Sequence, residues 1–137
     1  MSMVVKTLVN GKHIIFSKYN LSKEVRNMLY ELRIYHVNPG KMQALHERFR
    51  DHVIDLFSKH GMKITHYWEA IHELNNRLYY VEHDNMESRN LNYERFRNDP
   101  EWIEVKRISE MYGPLLNNQE SIFMKNAAFS RTNKTGQ

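Results

Sequence analysis

Tyr30-Glu31-Leu32-Arg33-Ile34-Tyr35 runs into Asn38-Pro39-Gly40-Lys41, and further along the chain stands Tyr93-Glu94-Arg95-Phe96-Arg97-Asn98-Asp99-Pro100-Glu101-Trp102. The first stretch alternates, with Tyr30, Leu32 and Ile34 on one side and Glu31, Arg33 and Tyr35 on the other, which is the period of a β-strand with one apolar face. Pro39 suits the first turn of a helix, where its missing N–H leaves no bond unmade. The second stretch predicts a helix stopped by Pro100, which pushes Asp99 out of helical geometry, and restarted on Trp102.

Working outward, Met42, Leu45, Phe49, Val53, Leu56 and Phe57 recur at helical spacing and predict one helix, closed near Gly61 by a residue suited to a left-handed cap. Met62 to Ile71 and Leu78 to Asp84 are rich in aromatic and β-branched residues and predict an antiparallel pair. Asp84 with Glu87 three residues later reads as a capping box, so a second helix is expected from near Asn85, burying the stem of Arg89, then Tyr93 and Phe96. A short third helix carries Trp102, Val105 and Ile108 to Gly113-Pro114. A last strand is expected over 119–129, before a polar tail at 130–137. The order is βαββαβ with a helical insertion, the ferredoxin-like α+β motif with an antiparallel sheet. Both helices of that motif pack on one face of the sheet. The other face, expected to carry Tyr35, Tyr67 or Trp68, is too apolar for water, so a second copy of the chain is expected to cover it.

The two quoted motifs resemble those of the NIPSNAP family. The resemblance covers residues 29–128 and implies a dimeric α/β barrel, a homodimer whose two sheets close around a cavity. It also implies two kinds of function. One is a small-molecule-binding protein or cofactor-independent enzyme, similar to the monooxygenases, isomerases and haem-degrading proteins that share the barrel. The other is a non-enzymatic interaction module, since animal members of the family resemble mitochondrial proteins linked to vesicular traffic and to the signalling of mitochondrial damage.

The 137 residues, 41% of them hydrophobic, fit one domain with a single core, expected over 29–129. The absence of cysteine excludes disulfides, thiolate metal sites and cysteine nucleophiles. A net charge of +4 is spread among sixteen acids without a basic stripe, so no nucleic-acid partner is expected. No apolar run approaches the ~20 residues of a membrane span. Residues 1–28 hold four lysines and one arginine against Glu24 alone. Three readings of this extension stay open: a β-hairpin turning at Asn10-Gly11, a targeting peptide, or a start upstream of the native one at Met28. A cytoplasmic location is expected, or a mitochondrial one if the extension is a targeting peptide.

For chemistry, Glu31 and Arg33 share a strand face with Cβ atoms about 7 Å apart, and Tyr35 adds a hydroxyl. With the apolar side under the helices, these three face the dimer cavity and can orient a polar or anionic ligand. The plainer reading is that Glu31 and Arg33 neutralise each other or pin the dimer interface. On the hairpin, the resemblance favours His66 and Trp68 pointing inward; His66 could serve as an acid or base, although the family position is generally small, and a hydrogen-bonded sheet histidine is the plainer reading. Tyr80 and Glu82 are expected toward the cavity, because Glu82 would be costly beneath the helices. No residue is assigned as catalytic. The eight histidines show no metal-ligand spacing, with His46, His52 and His60 expected at exposed or flanking helix positions, so no metal is expected. No phosphate loop, nucleophile elbow or dinucleotide fingerprint is present, and no cofactor is implied.

Overall fold

The computed structural model describes residues 4–9, 11–17 and 28–130. The chain divides into two compact units, one of residues 1–28 with 125–137 and one of residues 29–124. In the first unit, β1 (Val4–Val9) and β2 (Lys12–Ser17) form an antiparallel hairpin in which Val9 stands opposite Lys12. Gly11 takes φ +75° in its turn, whereas Asn10 lies outside the described residues. So do residues 18–27 and, beyond Ser130, the tail.

The second unit starts with β3 (Leu29–Val37) and continues through α1 (Met42–Arg48), a π-helical turn (Phe49–Val53) and α2 (Ile54–Lys59). Next come β4 (Lys63–Glu69), β5 (Asn76–His83), α3 (Met86–Arg97), α4 (Pro100–Ser109) and β6 (Leu116–Met124). The sheet order is β4-β5-β3-β6 with every pair antiparallel. That is the ferredoxin-like order expected from the sequence, with β3 central.

Local chemistry accounts for the boundaries and for where they depart from expectation. Pro39 and Gly40, the latter at φ +77°, form a turn ahead of α1 instead of its first turn. The expected single helix holds its apolar stripe but widens into the π turn at Phe49–Val53. The cap of α3 is Asn85, whose side chain accepts the Ser88 amide at 2.8 Å; Asp84 does not take that role. Asp99 caps α4 by accepting the Glu101 amide at 2.9 Å, and its other oxygen accepts from Lys59 Nζ at 2.8 Å and meets His60 Nε2 at 2.6 Å. Its carboxyl is held well below the usual carboxylate range, first by the Lys59 bond and then by His60 and the Glu101 amide. β6 spans 116–124 rather than 119–129 because it is cut to the length of its partner: Met124 pairs with Tyr30, near the start of β3, and Leu116 with Val37 at its end.

Gly61 closes the helical rod at φ +78°, with the Asn92 amide nitrogen 3.2 Å from where a Cβ would stand. Gly61→Ala is therefore expected to destabilise the protein by about 1–2 kcal/mol through left-handed backbone strain, read as a lower midpoint in urea without a change in slope.

On β3 the two faces are assigned opposite to the expectation, whereas His66, Trp68, Tyr80 and Glu82 lie on the side away from the helices, as expected. Glu31, Arg33, Tyr35 and Val37 are buried beneath the helices, while Tyr30, Leu32, Ile34 and His36 face away from them. Register carries this across the sheet. Tyr67, Tyr79, Arg33 and Ser121 make one row on the covered side, and His66, Tyr80, Leu32 and Ile122 the adjacent row on the open side. The core packs Phe49, Phe57, Tyr79, Tyr93 and Phe96 edge-on or tilted around Leu45, Val53, Leu56 and Val81.

Candidate functional site

Because the charged side of β3 lies under the helices, its polar groups must find partners inside the protein. Glu31 is fully buried and is the hub. Arg89 Nη2 and Nε donate to it at 2.9 and 3.1 Å, Ser121 Oγ donates at 2.8 Å, Arg33 Nη1 at 3.2 Å, and His83 Nε2 stands 3.0 Å away. Burial alone would raise the Glu31 pKa. The bonds from His83, Arg89 and Ser121 and the Arg33 charge outweigh that, so the carboxyl is held well below its ordinary value.

Arg33 fans across the same layer: Nε donates to Tyr79 Oη at 2.6 Å, Nη1 to Ser121 Oγ at 3.0 Å and Nη2 to Gln119 Oε1 at 3.0 Å. The Tyr79 and Tyr35 hydroxyls bond each other at 2.8 Å. Burial pushes the Tyr79 hydroxyl well above its ordinary pKa, so it remains a neutral phenol.

Above this layer the helices stand clear of the sheet and leave a cavity of about 600 Å³. Six rings line it: Tyr35 from the sheet, Phe49 from the π turn, Phe57 from α2, Tyr93 and Phe96 from α3, and Trp102 from α4. Among the described residues the lining cations are Arg33, Arg48, Arg89, Arg97 and Lys106, and the single lining carboxylate is Glu110. The π turn contributes directly, since Phe49 and Val53 both lie on the wall.

Among the sequence-stated candidates, only Arg33 and Tyr35 line this cavity. Glu31 lies behind it, holding two of its arginines. His66, Trp68, Tyr80 and Glu82 lie on the other side of the sheet. There the His66 and Trp68 rings stack at 5.1 Å and both meet Tyr80 edge-on. Thus Glu31, Arg33 and Tyr35 are not on the open face, and neither is Tyr67, whereas Trp68 is; the seven candidates divide between two surfaces of the sheet. The charged side of β3 can lie under the helices because a mutually saturated ion cluster can be buried, and a cavity above it accommodates what remains.

Tyr79, Arg48, Arg89, Arg97, Trp102 and Lys106 were not singled out as site residues by sequence reasoning. A signal existed for Arg48, which falls three residues after Leu45 on the buried stripe of α1, and for Arg97, four residues after Tyr93. His46 and His60 are likewise engaged rather than decorative, His46 accepting from Arg77 Nε at 2.9 Å and His60 meeting Asp99. Among the described residues no group of three histidines or carboxylates is placed to hold a metal ion. No helix among them is long and apolar enough to cross a membrane.

The NIPSNAP family model matches residues 30–131. The chain belongs to the NIPSNAP family. Solved structures agree with that placement. An uncharacterized NIPSNAP domain protein from Burkholderia xenovorans is 25% identical with a TM-score of 0.65, over 75% of this chain and 98% of its own. A NIPSNAP family protein of unknown function from Agrobacterium tumefaciens is 24% identical with a TM-score of 0.66, over 77% and 93%. The monooxygenase ActVA-Orf6 of Streptomyces coelicolor, solved with the ligand nanaomycin D, is 16% identical with a TM-score of 0.54, over 79% and 95%, and is similar in fold. No curated protein matches the chain. The NIPSNAP domain thus shares the α+β architecture of the dimeric α/β-barrel proteins, and in this chain it holds a cation-rich cavity under the helices.

Proposed function

We propose that this NIPSNAP domain binds a small organic molecule in the cavity between its sheet and its helices. The observation that carries the reading is the cavity itself: about 600 Å³, walled by six aromatic rings and floored by the Arg33–Tyr79–Tyr35 hydrogen-bond chain. Its size and mixture of apolar wall and convergent polar groups are those of a ligand site. The fold neighbour solved with nanaomycin D supports the choice, because it shows that the architecture admits a small molecule.

The same geometry bears on chemistry. Among the described residues the lining holds no histidine, serine, cysteine or aspartate, and its one carboxylate, Glu110, is partly exposed. Glu31 is saturated by its donors and does not act as a base. Any turnover of the cofactor-independent oxygenase or isomerase kind would rest on a substrate that ionises readily, with arginines and neutral phenols stabilising the resulting enolate or phenolate. Binding is the primary role in this reading, and reactivity belongs to the ligand.

The open face supports a homodimer. Trp68 is 43% and Ile122 47% exposed, and Tyr30, Leu32, Ile34, Leu78 and Tyr80 lie between them in register. A second copy pairing sheet to sheet would remove this surface from water.

The chain's two tryptophans allow a direct test. In a Trp68→Phe protein Trp102, on the cavity wall, is the one tryptophan left to be excited selectively. Titration with the neutral dye N-phenyl-1-naphthylamine is expected to quench it saturably at one dye per subunit, and sedimentation is expected to give a dimer. Failure of both this dye and its sulfonated analogue to quench Trp102 would remove the ligand reading and leave the interaction module.

A further inference from the structure

The charges around the cavity are not balanced. Among the described residues five cations line it, and two carboxylates neutralise them: Glu31, shared by Arg33 and Arg89, and Glu110. Three positive charges are left over. Two of these belong to Arg97 and Lys106, exposed on α3 and α4, which make no ion pair among the described residues. Both also line a shallower hollow that shares Trp102 and Glu110 with the cavity, so they mark its outer end.

Arg48 is the more telling case because it is buried and the pair with Glu110 counted for it is a long one. Arg33 and Arg89 each donate a hydrogen bond to Glu31, at 3.2 and 2.9 Å. Arg48 instead reaches the neutral Ser109 hydroxyl at 3.2 Å, and its nearest carboxylate oxygen, on Glu110, is 3.8 Å away. Its Nε is buried without a hydrogen-bond partner. The guanidinium rests 5.2 Å from the Trp102 ring centroid, which offers some attraction but accepts no hydrogen bond. A buried guanidinium with so little direct pairing is costly unless something else supplies the counter-charge. Burial accordingly lowers the Arg48 pKa, against the smaller opposing influence of its neighbours.

We propose that the ligand is an aromatic acid whose anionic group pairs with Arg48, with Arg97 and Lys106 drawing it in and its ring system lying against Trp102, Phe49 and Phe96. This rests on the cavity being the binding site. Arg48 is suited to the anchoring role because a guanidinium meets a carboxylate or sulfonate with two parallel N–H bonds, and because a group held under the helices is little screened by salt. Fixing it on Trp102 limits the ordering needed on binding.

The test compares two dyes with the same rings, one carrying a sulfonate: 1-anilinonaphthalene-8-sulfonate and N-phenyl-1-naphthylamine, each read by Trp102 quenching in the Trp68→Phe protein. The anionic dye is expected to bind roughly tenfold or more tightly than the neutral one. Arg48→Met is expected to erase that preference while leaving the neutral dye within about twofold. Should Arg48→Met fail to fold, the double variant Arg97→Gln with Lys106→Gln, both exposed, is expected to weaken the anionic dye alone and to flatten its salt dependence. Equal affinities for the two dyes in the unmodified cavity, or an equal loss of both in the variants, would overturn the acid assignment while leaving the cavity as a neutral-ligand site. Quenching by neither dye would overturn the site itself.

Discussion

Glu31→Gln is expected to destabilise the protein by about 3–5 kcal/mol, because it strips the charge from a buried cluster and leaves Arg33, Arg89 and His83 facing one another without an anion. Glutamine keeps the shape and one acceptor, so the loss is electrostatic rather than one of packing. Since domains of this size are stable by only about 5–15 kcal/mol, the variant should lose about a fifth or more of its margin. Urea unfolding followed by near-UV circular dichroism reads it directly. An effect under about 1 kcal/mol would mean that the cations disperse at little cost and that the cluster is not a keystone. The pH dependence supplies an independent check. The Glu31 pKa is depressed in the folded state, so its contribution is fully present above the unfolded value of 4.5 and is lost as the pH falls from there toward the folded one. Between neutral pH and about pH 3 the parent protein should therefore lose stability more steeply than Glu31→Gln, whose residue 31 no longer titrates.

Phe57→Ala is expected to destabilise by about 3–5 kcal/mol as well, for a different reason. Phe57 is buried, and its ring sits 4.7 Å from Phe96, 5.5 Å from Tyr93 and 6.2 Å from Tyr79 by centroid. Those edge-on contacts tie α2 to α3 and to the sheet while the same ring forms part of the cavity wall. Truncation removes the contacts and enlarges the cavity, and with rings on several sides the surroundings are poorly able to collapse. Phe57→Leu, which keeps most of the volume, should lose under about 1.5 kcal/mol. Equal losses for the two would argue that ring geometry, and not filled space, is what Phe57 contributes. Thermal unfolding of the three proteins at one pH is the measurement.

Much of the architecture was legible because its signals are local. The two-residue period of 29–37, the helical stripe from Met42 to Phe57 and the Asp99-Pro100 break each act within a few residues; the first became the expected strand, the second a helical rod widened by a π turn, and the third a break after which the new helix starts on Pro100 itself. The cost of burying Glu82 put Tyr79 and Val81 of β5 under the helices, where they lie, but the side of β3 that the helices cover was not legible. The alternation in β3 shows a polar side and an apolar side, and the usual inference that apolar goes inward fails here because two interiors compete for the strand. One is the layer under the helices, where Glu31 finds Arg89 and His83 from α3 and β5. The other is the open face, whose aromatic rows await a cover. Which face wins depends on partners far along the chain, such as Arg89 and Ser121 for Glu31, and single-strand periodicity does not contain them. The cavity escaped for a related reason. Arg48 and Arg97 occupy helix positions whose spacing sets them beside buried residues, yet such an arginine acquires meaning only when the empty space next to it is known.

The position of the central strand also dictates an order of events as the chain is made. β3 is synthesised first among the strands of its sheet, while β6, which forms one of its two hydrogen-bonded edges and brings Ser121 and Gln119 to Arg33, comes last. Until then the middle of the sheet exists as an open edge bearing a half-satisfied carboxylate and guanidinium. Such an edge is both slow to close, since the pairing spans most of the domain, and open to strands from other chains. A nascent chain stalled ahead of Leu116 would expose that edge, so on the ribosome the molecule is most vulnerable to aggregation just before its final strand emerges.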